Sequence, residues 1–296
     1  MFCTAYTPIL INHSRLFFSK LTTIINLISV SPKRHTELHY AWAIEITHMV
    51  ATGERETGRG ANQIGNLHRS GTTRWSSHFD SICSLIDMYG ATITVLKSMV
   101  QEGSSNSIRG EAGGCLNIVM KYFEFIFILY LMQKIMGITD LLCRALQQKS
   151  IDILNAMDLV SITKALLQIL RDAGFDLLLT NVQFVCTKYE IDLPHMNASY
   201  KKATGRSCQQ QGSVTVYQHY HYDIFNSTID FQLEELNFRF SNGIVEHVKI
   251  VLRNKMKNEF LTDSMMIYIE QELVEDIDSD SIIDEFYSTK HRRVQL

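Results

Sequence analysis

Apolar and polar positions alternate with a helical period in the middle of the chain. Between residues 139 and 172 the apolar positions are Leu142, Leu146, Ile153, Met157, Val160, Leu167 and Leu170. They recur every three or four residues with polar side chains between them, which is the spacing of one face of an α-helix. The pattern predicts an amphipathic surface helix. Whether this helix is continuous or is broken near Ser150 stays open at this point.

The neighbouring segments predict further helices. Residues 118–138 are apolar nearly all round, which indicates a buried partner helix. Its longest apolar run, residues 125–132, is much shorter than the roughly 20 residues needed to cross a bilayer, so we predict no membrane association. Gly174 is a typical helix stop, and residues 175–189 predict the next helix. Residues 79–99 and 224–236 are also helical in pattern, whereas residues 214–217 fit either a short strand or the approach to a helix.

Composition agrees with a mainly α protein. The chain has 296 residues, of which 46% are hydrophobic and 20% charged, and it contains only three prolines, which favours long helices over a β-sandwich. A net charge of −3 argues against a protein whose entire surface binds polyanions. The six cysteines lie at wide, irregular spacings without a Cys-x-x-Cys pair, as expected for reduced thiols inside a cell.

An uneven distribution of charge, together with polar stretches, indicates that the chain has more than one region. Basic residues outnumber acidic ones between residues 15 and 74, and residues 270–285 carry acidic residues without lysine or arginine. Polar stretches lie near residues 103, 200 and 242. We predict regions at 1–103, 104–241 and 242–296.

Few sequence features indicate catalysis or a cofactor. Gly58 and Gly60 lack the third glycine of a phosphate-binding loop, and Ser104 lacks a nucleophile elbow. His219 and His221 would share one face of an extended segment, but no third metal ligand lies near them in sequence. We therefore predict no catalytic residue, no metal, no cofactor and no small-molecule substrate.

Arg74 and Trp75 are the candidate nucleic-acid contacts. An exposed tryptophan offers a stacking face for an unpaired base, and the adjacent guanidinium offers a cation for its phosphate. A buried tryptophan with a paired arginine is the alternative, and spacing alone favours that alternative.

Several blocks resemble hAT-type transposase-derived proteins of plants, in the group with zinc-finger MYM-type-like or TTF-type domains. The blocks, in order, are residues 31–38, 73–79, 138–162, 223–240, 249–256 and 259–270. The resemblance implies that Arg74 and Trp75 belong to part of an RNase H-like domain and that a helical insertion follows. It also implies a C-terminal dimerisation region, DNA binding and a nuclear location, with the cytoplasm as the alternative.

The same resemblance implies that catalysis is lost. Transposition in this family needs three carboxylates that hold two divalent ions. The segment bearing the first acid lies upstream of anything present here, and Asn242 stands where the family has the third. Glu246 is displaced from that position. Two alternatives stay open, a surviving metal-dependent nuclease in which Asp80, Asp87 or Glu246 converge, and a non-functional fragment of a decaying element.

The C-terminal region carries the candidate dimerisation residues. They are Leu252, Met256, Phe260, Leu261, Met265, Ile269 and Leu273. Most are four positions apart, which predicts an apolar stripe on one or two short helices. We therefore expect the chain to act by protein association, with itself or with related hAT-type proteins as partner and with weak DNA contact as a second activity.

Overall fold

The structure is a computed structural model that describes residues 8–55, 65–69, 71, 75–147, 153–200 and 214–240. At residues 8–14, 75 and 153–154 it describes the backbone alone. Arg74 and the predicted dimerisation region at 242–296 lie outside the described residues.

The described chain is built from helices. They are α1 (Pro8–Ser29), α2 (Pro32–Ala51), α3 (Trp75–Asp87), α4 (Tyr89–Glu102), α5 (Asn106–Gly114), the π-helix π1 (Cys115–Met120), α6 (Phe123–Leu146), α7 (Ile153–Ala173), α8 (Phe175–Lys188), α9 (Val216–Gln218), the π-helix π2 (His219–Asn226) and α10 (Ser227–Arg239). Within the described residues the only β-type pairing is an isolated antiparallel bridge between Ser199 and Thr215. The prediction of a mainly α fold is confirmed.

Helix α6 forms the centre of the bundle. It packs against α3, α7 and α8, and its side chains Ile126, Phe127 and Leu129 are completely buried. By length and composition α6 could span a membrane, as could the bent pair α3 and α4 if counted as one span. However, 67% of the apolar window of α6 is buried inside the fold, so its place in the core accounts for its composition.

The long helix predicted over residues 79–99 is two helices. The axes of α3 and α4 meet at 76° on either side of Met88. Gly90 lies at the start of α4, where a Cβ atom would lie 2.5 Å from Oε1 of Glu45 on α2. The carboxylate of Glu45 therefore occupies the space that a side chain at position 90 would need, and α2 packs closely against α4.

The predicted amphipathic helix over residues 139–172 is also divided. Residues up to Leu146 belong to α6, and α7 begins at Ile153. At its other end α7 stops before Gly174, whose N–H donates to the carbonyl of Leu170 at 2.7 Å, and α8 starts at once. The helix stop predicted at Gly174 is confirmed.

Residues before and after the polar stretch near residue 103 pack into the same hydrophobic core. Ser105 caps α5 by accepting a hydrogen bond from the N–H of Ile108 at 3.2 Å. One cluster of buried side chains includes Leu38 and Leu96 before this turn together with Met120, Phe127 and Phe225 after it. Residues 15–102 and 104–240, as far as they are described, thus share one core.

Candidate functional site

The surface that stands out in the described structure is the outer face of α7. Ile162, Leu166 and Ile169 are 54%, 40% and 63% exposed. Their spacing of four and three residues places them on one stripe of the helix, and the exposed Ala165 and Ala173 extend it. Scattered apolar residues on a surface are ordinary, but a contiguous stripe of large ones indicates an interaction site.

The opposite face of α7 is apolar as well. Ala156, Val160 and Leu167 are buried there, and α6, α8 and α10 pack against the helix. The buried hydroxyl of Thr163 donates to the carbonyl of Leu159 at 2.7 Å, so it adds no unsatisfied polar group. Since the described helices cover only this face, the stripe of Ile162, Leu166 and Ile169 is a second apolar surface on one helix.

Acidic residues lie at the two ends of the exposed stripe. Asp158 lies one turn before Ile162, and Asp172 lies three residues after Ile169, both exposed. Asp172 is 3.6 Å from the guanidinium of Arg171 and accepts a hydrogen bond from Gln168 at 2.9 Å. Lys164 lies to the side of the stripe, half-buried, where burial lowers its pKa. A partner with basic residues at the edges of an apolar stripe would complement this face.

A second feature is a set of stacked rings around π2. The ring of His219 stacks on Tyr200 with centroids 3.7 Å apart, and the ring of His221 stacks on Phe175 and Tyr222 at 4.1 and 4.4 Å. Burial lowers the pKa of His221, the nearby charge of Asp176 offsets that effect in part, and its Nδ1 is buried without a hydrogen-bond partner in the described protein.

The backbone at His219 and His221 is helical, which corrects the extended conformation considered for them, and residues 214–217 are the approach to a helix, the second of the two alternatives given for them. Helix α9 begins at Val216 and continues into π2, because Thr215 and Gln218 form a capping box that starts a helix there. His219 pairs with Asp223 at 3.0 Å, whereas His221 lies among aromatic rings. The two imidazoles therefore have separate environments. No group of three or more His, Cys, Asp or Glu side chains suited to a metal occurs within the described part of the chain.

A cavity of about 230 Å³ lies beside α3 and residues 65–68. Asp80, Cys83 and Asp87 line it from α3, and Trp42 and Arg55 line it from the α2 side. The guanidinium of Arg55 lies over the ring of Trp42, 5.4 Å from its centroid. This tryptophan is buried in the core and offers no free stacking face.

The electrostatics of the cavity disfavour a reactive thiol. Burial raises the pKa of Cys83, and the negative charges of Asp87 and Asp80 raise it further. Burial also raises the pKa of Asp87, which the charge of Arg55 partly offsets. A protonated thiol is a poor nucleophile, so Cys83 has the chemistry of a structural cysteine.

The two aspartates proposed for a surviving nuclease share this cavity. Asp80 is 3.8 Å from Arg144, which also pairs with the buried Asp140 on the same helix α6. Asp87 lies two turns further along α3, near Arg55. Glu246, the third residue of that hypothesis, lies outside the described residues.

The remaining predicted site residues are only partly placed. Trp75 is the first residue of α3, its side chain lies outside the described atoms, and Arg74 precedes the helix outside the described residues. The seven predicted dimerisation residues between 252 and 273 also lie outside them. These assignments stay predictions.

The exposed stripe of α7 was not among the sites predicted from the sequence. The signal was present, because Ile162, Leu166 and Ile169 are large apolar residues that fall between the positions assigned to the buried face. No protein-family model matches the chain, and no solved structure matches it either.

Proposed function

We propose that this chain is a catalytically inactive protein derived from an hAT-type transposase and that it acts by dimerisation through residues 242–296. Nucleic-acid contact through Arg74 and Trp75 is a secondary activity of the same proposal. The order of the sequence blocks between residues 31 and 270 supports the family assignment. Residues 1–103 would then be a remnant of the RNase H-like region and residues 104–241 its helical insertion.

The observation that carries the association function is the apolar stripe on α7 that the other described helices leave exposed. Ile162, Leu166 and Ile169 remain exposed although the opposite face of the helix is buried in the bundle. Burial of a large aliphatic side chain contributes about 1.5–3 kcal/mol relative to exposure, so three such residues favour a complex. The apolar positions at Leu252, Met256 and Phe260 provide a second surface of the same chemistry in the sequence.

The implied partner is a second copy of the chain or a related hAT-type protein. The proposal includes no membrane, no cofactor and no small-molecule substrate. The nucleus is the proposed location, since the resemblance is to DNA-associated proteins, and the cytoplasm is the alternative.

The test is the oligomeric state of the full-length protein, measured by light scattering over a range of concentrations. We expect a dimer that the double substitution Met256→Asp with Phe260→Asp converts to a monomer, because a charged carboxylate cannot be buried in an apolar interface without a large cost. A chain ending at residue 248 should be monomeric for the same reason.

Leu141→Asp is the matched control. Leu141 is 68% exposed on α6, so a carboxylate there tests whether any new surface charge dissociates the protein. A monomeric wild-type protein, or a dimer that survives the double substitution, would contradict dimerisation through the C-terminal region.

A further inference from the structure

The exposed stripe of α7 has the spacing of a helix-pairing surface. Asp158, Ile162, Ala165, Ile169 and Asp172 follow one another at intervals of four, three, four and three residues, and all are exposed. Apolar side chains repeated in this way form the seam along which two helices pack. From Asp158 to Asp172 the seam is about 21 Å long, at 1.5 Å per residue. We call these five residues, together with Leu166, the α7 seam.

The α7 seam does not complement itself. If two copies packed antiparallel with Ile162 opposite Ile169, Asp158 of one copy would lie opposite Asp172 of the other. If they packed parallel, each aspartate would face its own counterpart. Both arrangements bring carboxylates together at the ends of the seam, and like charges across an interface oppose association. The seam therefore fits a partner with apolar residues in its centre and cations along its edge.

Residues 249–260 of the chain have that chemistry. Their apolar positions Leu252, Met256 and Phe260 are four residues apart, and the cations Lys249, Arg253 and Lys257 have the same interval. On a helix, these two sets would form an apolar stripe with a basic stripe along its edge. The segment would cover about 17 Å of the seam, again at 1.5 Å per residue.

The last described helix packs against the helix that bears the seam. Helix α10 ends at Arg239 and packs against α7, where Arg171 and Asp230 pair. The basic segment begins ten residues after the end of α10, so a short stretch of chain joins it to a helix that contacts α7.

We infer that residues 249–260 of one copy dock on the α7 seam of a second copy, with Lys249, Arg253 and Lys257 directed towards Asp158 and Asp172. This inference rests on the proposed dimerisation and names the surface that receives the C-terminal segment. In a two-fold dimer the exchange is reciprocal, and both seams are covered.

Charge exchange between two full-length variants tests the inference. One variant carries Asp158→Lys and Asp172→Lys, and the other carries Lys249→Glu, Arg253→Glu and Lys257→Glu. Each alone should dimerise roughly tenfold or more weakly, because its homodimer opposes like charges at both seams. An equimolar mixture should form a heterodimer, since both of its contacts again join opposite charges. Differently tagged chains and light scattering measure that heterodimer.

Two further variants keep the test independent of changes in folding. Leu166→Asp places a carboxylate in the centre of the seam and should weaken the dimer roughly tenfold or more while the helix content measured by circular dichroism is unchanged. Asp192→Lys is the matched control for charge reversal, because Asp192 is exposed beyond the end of α8. It should leave dimerisation as in the wild-type protein.

The outcomes separate this inference from the proposed function. A dimer lost with Met256→Asp and Phe260→Asp but unaffected by Leu166→Asp would overturn docking on α7 and leave dimerisation standing. A mixture of the charge variants without a heterodimer would overturn docking between copies. A monomeric wild-type protein would overturn both.

Discussion

Arg171 on α7 and Asp230 on α10 form a two-point ion pair. Nε of Arg171 donates to Oδ1 of Asp230, and Nη2 donates to Oδ2 at 3.0 Å. The hydrogen bond to Asp230, followed by the charge of that carboxylate, raises the pKa of the guanidinium. The contact joins residues 59 positions apart and ties the last described helix to the helix that bears the exposed stripe.

Asp230→Asn should destabilise the protein modestly. The two side chains are 34% and 48% exposed, so solvent screens their attraction and the expected loss in the free energy of unfolding is about 0.5–1 kcal/mol. Urea denaturation measures this change. Asp172→Asn is the control and should have a smaller effect, because Asp172 approaches Arg171 less closely, at 3.6 Å. Equal losses from the two substitutions would show that the two-point geometry contributes nothing extra.

Alanine at Gly174 should destabilise the junction of α7 and α8. A Cβ atom there would lie 2.4 Å from the carbonyl oxygen of Leu170, a backbone atom that cannot rotate away. We expect a loss of about 1–3 kcal/mol in the free energy of unfolding, the usual cost of overpacking.

Gly110→Ala is the matched control for that substitution. Gly110 lies within α5 and has no atom within 4 Å of the Cβ position, so alanine should stabilise the protein by about 0.4–1 kcal/mol. Chemical denaturation of both variants gives the comparison. Stabilisation by alanine at both positions would contradict the close approach at Gly174.

Acidification should destabilise the fold partly through His221. In the folded state, burial lowers the pKa of this histidine below its usual value of 6.5. As the pH falls through 6.5, the unfolded chain therefore binds more protons than the folded chain. The free energy of unfolding should therefore decrease between pH 7 and about pH 5, and His78, whose pKa burial also lowers, acts in the same direction. His221→Phe retains the stacking on Phe175 and should reduce the slope.

The control for the pH experiment is Leu193→Phe. Leu193 is exposed in the segment after α8 and carries no titratable group, so its replacement should leave the slope as in the wild-type protein. Denaturant titrations at several pH values measure each slope. An unchanged slope in His221→Phe would show that another group is responsible.

Trp75→Ala should weaken binding to single-stranded DNA. Stacking of a base on an aromatic ring contributes about 1–3 kcal/mol, and binding that also depends on Arg74 should decrease steeply with salt. Fluorescence anisotropy with a labelled oligonucleotide measures the affinity, and Arg109→Ala, an exposed cation on α5, controls for general loss of charge. Unchanged affinity with a lower unfolding free energy would identify Trp75 as a core residue.

The protein should not cleave DNA when supplied with magnesium or manganese. The expected reason is the incomplete set of carboxylates, since Asn242 cannot supply the negative charge of a metal ligand. A nicking assay on supercoiled plasmid with pure protein provides the measurement. Metal-dependent nicking that Asp80→Ala or Glu246→Ala abolishes would contradict the prediction.

Residue patterns alone predicted much of the helical architecture. Apolar spacing predicted α7 and α8, and Gly174 marked the boundary between them because a glycine after an apolar-periodic segment is a strong local stop. The nearly continuous apolar run in residues 118–138 predicted a buried helix, and α6 is that helix from Phe123 onward, whereas residues 118–120 belong to π1. These features depend on residues close in sequence, so a local pattern is sufficient to predict them.

The sharp bend at Met88 could not be predicted in this way. The apolar pattern continues from α3 into α4, and the close approach of Glu45 to Gly90 joins residues 45 positions apart. Likewise, the paired surroundings of His219 and the stacked surroundings of His221 depend on Asp223, Tyr200 and Phe175. A spacing rule for extended chains placed the two imidazoles together, but the helical backbone separates their environments.

The sequence by itself determined that the α7 segment has the period of an amphipathic helix with one apolar face, and that residues 249–260 combine apolar and basic positions at one interval. Only the tertiary structure decided which side of α7 is covered, because burial depends on where α6, α8 and α10 pack. Ile162 and Val160 are both aliphatic and two positions apart, yet Val160 is buried in the bundle and Ile162 is exposed. Periodicity determines the faces of a helix, whereas the neighbouring helices determine which face remains available for a partner.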